Sequence, residues 1–176
     1  MKNRKLKVSE MKRLSPEQYR ERPESGLVIV LDNVRSAYNV GSAFRSADAF
    51  GVDKIYLCGI CPTPPSTEIH KTALGAEESL AWQYDADILK LIKRLKSEDY
   101  TIISVEQTHK SVKLISPDTL PETQKTALIF GNEVEGVQQS VVDASDFSLE
   151  IPQHGTKHSL NVAVTVGIVL FAFTAR

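Results

Sequence analysis

The sequence predicts an α/β domain with a mainly parallel sheet flanked by helices, and three observations predict it. Compact apolar runs at 27–31, 54–58, 100–105, 126–130 and 147–151 each end in polar or Gly residues, as strands buried on both faces do. Segments of helical spacing lie between them, and alternation of the two over the whole length implies parallel pairing through crossovers. The closing stretch, 160–173, carries only Asn161 and Thr165 as polar side chains, which predicts a helix buried nearly all round and therefore central to the domain or shared with a second subunit.

At 176 residues the chain has room for one ordinary domain and core. Its 41% hydrophobic and 24% charged content is that of a water-soluble protein, and its apolar closing stretch is too short and too interrupted to span a membrane. The basic N-terminus has no apolar signal core, so a cytoplasmic location is expected. Charge is unevenly spread: residues 1–22 carry a net +5 and the remainder −6, for an overall −1. We therefore divide the chain into a basic arm, 1–22, and a single domain, 23–176. Lys5, Lys7, Lys12 and Arg13 in the arm suit contact with a polyanion such as RNA, and a solvated terminus is the plain alternative.

Taking the elements in order, Ser15 with Pro16 behind it opens a short helix. Strand 27–31 then runs into Asp32, Asn33 and Arg35, a polar loop beyond its carboxyl end. From Val40 to Phe50 small and apolar residues recur at helical spacing, with Asn39 as the expected cap and Gly51 as the stop. Strand 54–58 leads into a Pro-rich turn and a possible short helix over 68–74 that Gly75 breaks. Trp82, Gln83 and Tyr84 form a short extended piece, after which Asp85 is expected to cap an amphipathic helix with Ile88, Leu91, Ile92 and Leu95 on its apolar face. Its basic residues read as a solvated face. Residues 106–124, with Pro117, Asp118 and Pro121, read as a loop holding at most one helical turn. A polar helix is expected between the strands at 126–130 and 147–151.

Cys58 and Cys61 are the only cysteines. The prolines that follow deny the pair the helix start a redox dithiol uses, and no second paired Cys completes a zinc set, so no metal is expected. The four histidines are given no role, although His154 and His158 fall nearest the candidate site.

Three polar, Gly-containing segments directly follow buried strands: 32–45, 131–136 and 152–161. In a parallel sheet all three reach one edge, where α/β domains bind ligands. Together they offer Arg35, Asn39, Arg45, Asn132, Glu133, Ser159 and Asn161, which is hydrogen-bonding and cationic chemistry without a nucleophile–base pair. The Gly-x-Gly-x-x-Gly fingerprint, the phosphate loop and the Gly-x-Ser-x-Gly elbow are all absent. Plain structural readings stand beside these residues: Arg45 in a surface ion pair with Asp48, Asn161 as a satisfied buried amide, Ser159 as a helix cap, and Glu133 as the cap of the next helix.

Residues 38–51 with Asn39, Gly41, Phe44, Arg45 and Gly51, residues 130–137 with Phe130, Gly131, Asn132, Glu133 and Gly136, and the pair Ile151–Pro152 followed by Ser159, Leu160 and Asn161 resemble, in order and spacing, the three motifs of the SpoU/TrmH family of RNA ribose 2′-O-methyltransferases. The resemblance runs from about Gly26 to Phe173. It implies a C-terminal deep trefoil knot, S-adenosylmethionine (S-adenosyl-L-methionine) as cofactor, and an obligate homodimer acting on tRNA or rRNA, tRNA being slightly favoured. By similarity, Phe130, Gly131, Asn132, Gly136, Ile151, Pro152, Ser159 and Leu160 would hold the cofactor. Arg45, supported by Asn39, would activate the ribose hydroxyl, with Glu133, Ser159 and Asn161 around the transfer centre, while Arg35, Arg45 and the arm's cations would contact RNA. The competing functions are an RNA-binding or assembly factor without turnover and a small-molecule methyltransferase; intact motif residues favour the enzyme, and the basic arm disfavours the small substrate.

Overall fold

The computed structural model describes residues 3–116, 120 and 124–175. The expected turn around Pro117, Asp118 and Pro121 and the first two residues of the arm lie outside them. Seven strands form one sheet in the order β3-β2-β1-β6-β4-β7-β5, and every neighbouring pair is parallel. The five expected runs become β1 (Leu27–Asp32), β2 (Lys54–Cys58), β4 (Thr101–Val105), β6 (Thr126–Phe130) and β7 (Phe147–Glu150). The extended piece is edge strand β3 (Ala81–Asp85), whose side chains are half-exposed. The two-residue edge strand β5 (Val112–Lys113) was not expected, because both side chains are exposed and two residues carry no periodicity.

Two helical layers cover the sheet. Helices α2 (Ala37–Ala49), α3 (Thr67–Ala73), α4 (Ala76–Ser79) and α7 (Val162–Thr174) share one core with Ile29, Leu31, Ile55, Leu57, Leu128 and Phe130, while α5 (Ile88–Ser97) and α6 (Gln139–Ala144) share the other with Val28, Val30, Ile102 and Ile129. Successive strand residues thus feed opposite cores, which is why the central strands read as unbroken apolar runs. Helix α1 (Pro16–Glu21) opens with the expected cap, a reciprocal box between Ser15 and Gln18. Its Tyr19 hydroxyl donates to Val52 O at 2.9 Å, and the Arg22 guanidinium, 3.0 Å from Asp53, also donates to Gly51 O and Val52 O. No described helix is long and apolar enough to cross a membrane.

Three helix starts differ from expectation. Ser36, not Asn39, caps α2; Asp87, not Asp85, caps α5; and Asn161, not Ser159, caps α7. In each case two cap-competent residues stand close together, and the side chain not used is engaged or placed elsewhere: Asp85 accepts from Asp87 N–H at 3.2 Å, and Asn39 bonds outside its helix. The closing helix is also less buried than expected. Val166, Val169, Leu170 and Ala172 are buried, but Val164, Ile168 and Phe171 are 51%, 38% and 60% exposed. Their spacing puts them on one stripe of α7.

Cys58 and Cys61 are both buried free thiols. Burial pushes the Cys58 thiol upward and that of Cys61 up to about 11, and the Cys61 sulfur accepts from Val34 N–H while its thiol donates to Leu31 O. Both are inert under ordinary conditions and serve the packing of the β1 exit.

Candidate functional site

The carboxyl ends of β1, β4, β6 and β7 lie on one edge, and the loops leaving them meet there. Between the loops leaving β4, β6 and β7 opens a cavity of about 490 Å³, lined among others by Phe130, Gly131, Asn132, Glu133, Gly136, Ile151, Ser159, Leu160 and Asn161. Nine candidate residues from the sequence thus share one hollow. Pro152 does not line it, nor do Asn39, Arg35 or Arg45.

The 131–137 loop is folded back on itself. Asn132 and Gly136 exchange both backbone hydrogen bonds, 3.0 and 2.9 Å, and the Asn132 side-chain oxygen accepts from the N–H groups of Val134 and Glu135. Asn132 also donates to Asn33 O at 2.7 Å, tying the loop to the β1 exit. Gly136 has φ +70°, and a Cβ there would stand 2.1 Å from the Glu106 carboxylate. The left-handed backbone at this point favours glycine.

Glu133 caps a helix, but not the one that follows it. Its carboxylate accepts from the N–H groups of Arg35 and Ser36 at 3.0 and 3.1 Å, at the start of α2, and from the Asn39 amide at 2.9 Å. Burial works against its ionisation, yet the donors at Arg35, Asn39 and Ser36 outweigh it, and the carboxyl is held below the ordinary glutamate value. Asn39 in turn accepts from the Asn161 amide at 3.1 Å. Asn161 keeps its own oxygen for the N–H groups of Ala163 and Val164 at the head of α7. One hydrogen-bonded chain, Asn161 to Asn39 to Glu133 to the start of α2, therefore joins all three polar segments. The alternative of Asn161 as a satisfied buried amide fails on burial, since the residue is exposed, and holds only in that its oxygen is satisfied by backbone N–H groups.

Arg45 is exposed on α2 and has no ion-pair or hydrogen-bond partner among the described residues, so the surface pair with Asp48 is not formed. Asp48, raised by burial, is influenced by Arg22 and Arg13 instead. Arg35 contributes its backbone N–H to Glu133 and leaves its side chain exposed. Lys5, Lys7, Lys12 and Arg13 are exposed, and none lines the cavity.

Residue-by-residue reading missed the β4 exit. Glu106 accepts from Val137 N–H at 2.9 Å and from Gln107 N–H at 2.8 Å, and Gln107 donates to His158 O at 2.8 Å; both line the cavity. The signal was present, since they too are polar residues directly behind a buried strand. Asp32, buried, accepts from Gln138 through backbone and side chain and secures the far end of the same loop.

A 23S rRNA (guanosine-2′-O-)-methyltransferase RlmB from Nitrosomonas europaea is 31% identical over 151 residues, covering 84% of this chain and 55% of its own. A tRNA (guanosine(18)-2′-O)-methyltransferase from Aquifex aeolicus is 29% identical over 155 residues, covering 86% of this chain and 70% of its own. The chain thus spans little more than half of the first of these relatives. Among solved structures, an AdoMet-bound rRNA methyltransferase from Sinorhizobium meliloti superimposes with a TM-score of 0.76 at 27% identity, over 91% of this chain and 60% of that one. The A. aeolicus TrmH/SpoU tRNA modifying enzyme has the same fold, with a TM-score of 0.77 at 24% identity over 89% of this chain and 79% of that one. The profile of the SpoU rRNA Methylase family matches residues 26–171, a span that holds all three polar segments and the hydrogen-bonded chain between them. The protein belongs to the SpoU rRNA Methylase family.

Proposed function

We propose that the protein transfers a methyl group from S-adenosylmethionine to a ribose 2′-hydroxyl of RNA, tRNA being slightly favoured over rRNA. The observation that carries this reading is the Asn161–Asn39–Glu133 chain beside the cavity, because it holds three segments in one geometry with polar groups left for a substrate.

The residues fit the cofactor. The cavity lies within the range of small-molecule sites, about 300–1,000 Å³. Val105, Phe130, Leu149, Ile151, Leu160 and Val162 give it apolar walls for a heterocycle. Glu106, Glu133, Glu135 and Glu150 give it a negative field suited to a ligand of net positive charge. We assign cofactor contacts to the loops at 130–136 and 151–160. Bound there, S-adenosylmethionine would supply an electrophilic methyl group.

The chain's own task is then to position and activate the hydroxyl. A ribose hydroxyl is a poor nucleophile at neutral pH and needs a proton acceptor or a cation near the developing alkoxide. Arg45 cannot act as a base, its pKa lying above about 12. We assign it to an RNA phosphate, which takes the proton while the guanidinium balances the charge. Arg45 stands outside the cavity of its own chain, and α7 exposes Val164, Ile168 and Phe171. These two facts support a homodimer in which Arg45 serves the partner's cavity. The deep trefoil knot implied by family likeness is supported by β7 lying between β4 and β5 while the next element, α7, packs beside α2, where Phe171 meets Phe50. Residues 1–22 serve in this reading as an RNA-contacting arm on a cytoplasmic enzyme, giving affinity and salt dependence rather than sequence choice.

Arg45→Lys keeps the charge and loses the bidentate fork, so methyl transfer should fall at least about tenfold with cofactor binding unchanged. Ribose-methylation maps of tRNA and rRNA from cells making the wild-type protein, the variant or neither should lose one site in the last case and weaken it in the second. Unchanged maps would favour an RNA-binding or assembly factor without turnover.

A further inference from the structure

Residues 152–160 carry Ser159 and Leu160, two of the proposed cofactor positions that line the cavity, yet little holds them. Among the described residues, no backbone–backbone hydrogen bond outside regular elements involves this segment. Among the described residues, the one hydrogen bond that ties it to the rest of the chain runs from the Gln107 side-chain nitrogen to His158 O, 2.8 Å long. Gln107 is well placed to act as an anchor. It directly follows β4, and its neighbour Glu106 is fixed by accepting from the N–H groups of Gln107 and Val137. The β4 exit therefore holds the 131–137 loop through Glu106 and the 152–160 loop through Gln107.

We infer that Gln107 is a positioning residue, which sets the resting place of the 152–160 loop and thereby the fraction of molecules ready to accept the cofactor. It touches no reacting atom. The inference rests on the proposed use of the cavity for S-adenosylmethionine. A single side-chain bond to a backbone carbonyl shifts a local equilibrium modestly, and a smaller competent fraction weakens apparent affinity in proportion.

The test uses three variants of an exposed residue, so folding is not at risk, and unchanged melting temperatures check this. Gln107→Glu keeps size and shape but offers no donor to the His158 carbonyl. Gln107→Ala removes the side chain, and Gln107→Lys restores a donor; in the negative cavity the charge of Glu favours a cationic ligand and that of Lys opposes it, so the expected order runs against the field and reports the hydrogen bond. Calorimetric titration with S-adenosylmethionine should show Kd raised roughly three- to tenfold for the Glu and Ala variants and recovered for the Lys variant. In the transfer assay KM for the cofactor should rise by the same factor, with kcat at saturation moving less than about twofold. Wild-type affinity in Gln107→Glu, or a loss that Gln107→Lys does not recover, would overturn the role of the donor. Absence of binding by the wild-type protein would instead overturn the reading of the cavity, and this inference with it.

Discussion

Asn39 is the residue on which the three segments meet, and its amide has one tolerable orientation. The oxygen accepts from Asn161 and the nitrogen donates to Glu133, so turning the amide over would set its oxygen against a carboxylate. Asn161→Asp exploits this. An aspartate retains an acceptor for the N–H groups of Ala163 and Val164 and remains a good helix cap. It has no donor for Asn39, and either orientation of that amide then leaves oxygen facing oxygen. The expected outcome is a melting temperature within about 3 °C of wild type, with single-turnover methyl transfer reduced about tenfold or more. Wild-type turnover would show that the link is incidental. Asn39, Glu133 and Asn161 were legible in the sequence as polar residues behind buried strands and as motif positions. Their mutual bonds were not, because they span up to 122 positions and depend on which cap each helix selects.

At the scale of elements, the site rests on the close approach of α2 to α3. A Cβ on Gly41 would stand 2.1 Å from the Thr72 hydroxyl and 2.3 Å from Ile69 O, so the two helices can pack at this distance only over a glycine. Thr72 also donates to Tyr38 O in the first turn of α2, one residue before Asn39. Gly41→Ala should therefore push α3 away and destabilise the fold by about 1–3 kcal/mol, seen as a lower urea midpoint with an unchanged slope. The central strands were readable because burial on both faces leaves an unbroken apolar run. Edge strand β3 was legible only as a short extended piece and β5 not at all, since polar and half-exposed residues pair there through the backbone alone. Helix α7 was legible as apolar but not as half-exposed, because sequence cannot distinguish a face covered by the same chain from one left for a partner.

For the whole molecule, parallel pairing is what turns dispersed residues into a site. Seven parallel strands send the exits of β1, β4, β6 and β7 to one edge, and the cavity is lined by three separate segments, within 105–107, 130–136 and 149–165. The position of Arg45 could not be read from the sequence; it lies outside the cavity of its own chain. The central claim is ribose methylation, and one measurement reaches it directly. The protein is incubated with unmodified tRNA or rRNA and methyl-labelled S-adenosylmethionine, and the RNA is then hydrolysed in alkali. A 2′-O-methyl group blocks cleavage at its own phosphodiester, so the account predicts label in an alkali-resistant dinucleotide, reduced at least about tenfold with Arg45→Lys. Label in mononucleotides, or none in RNA that the protein binds together with the cofactor, would contradict it.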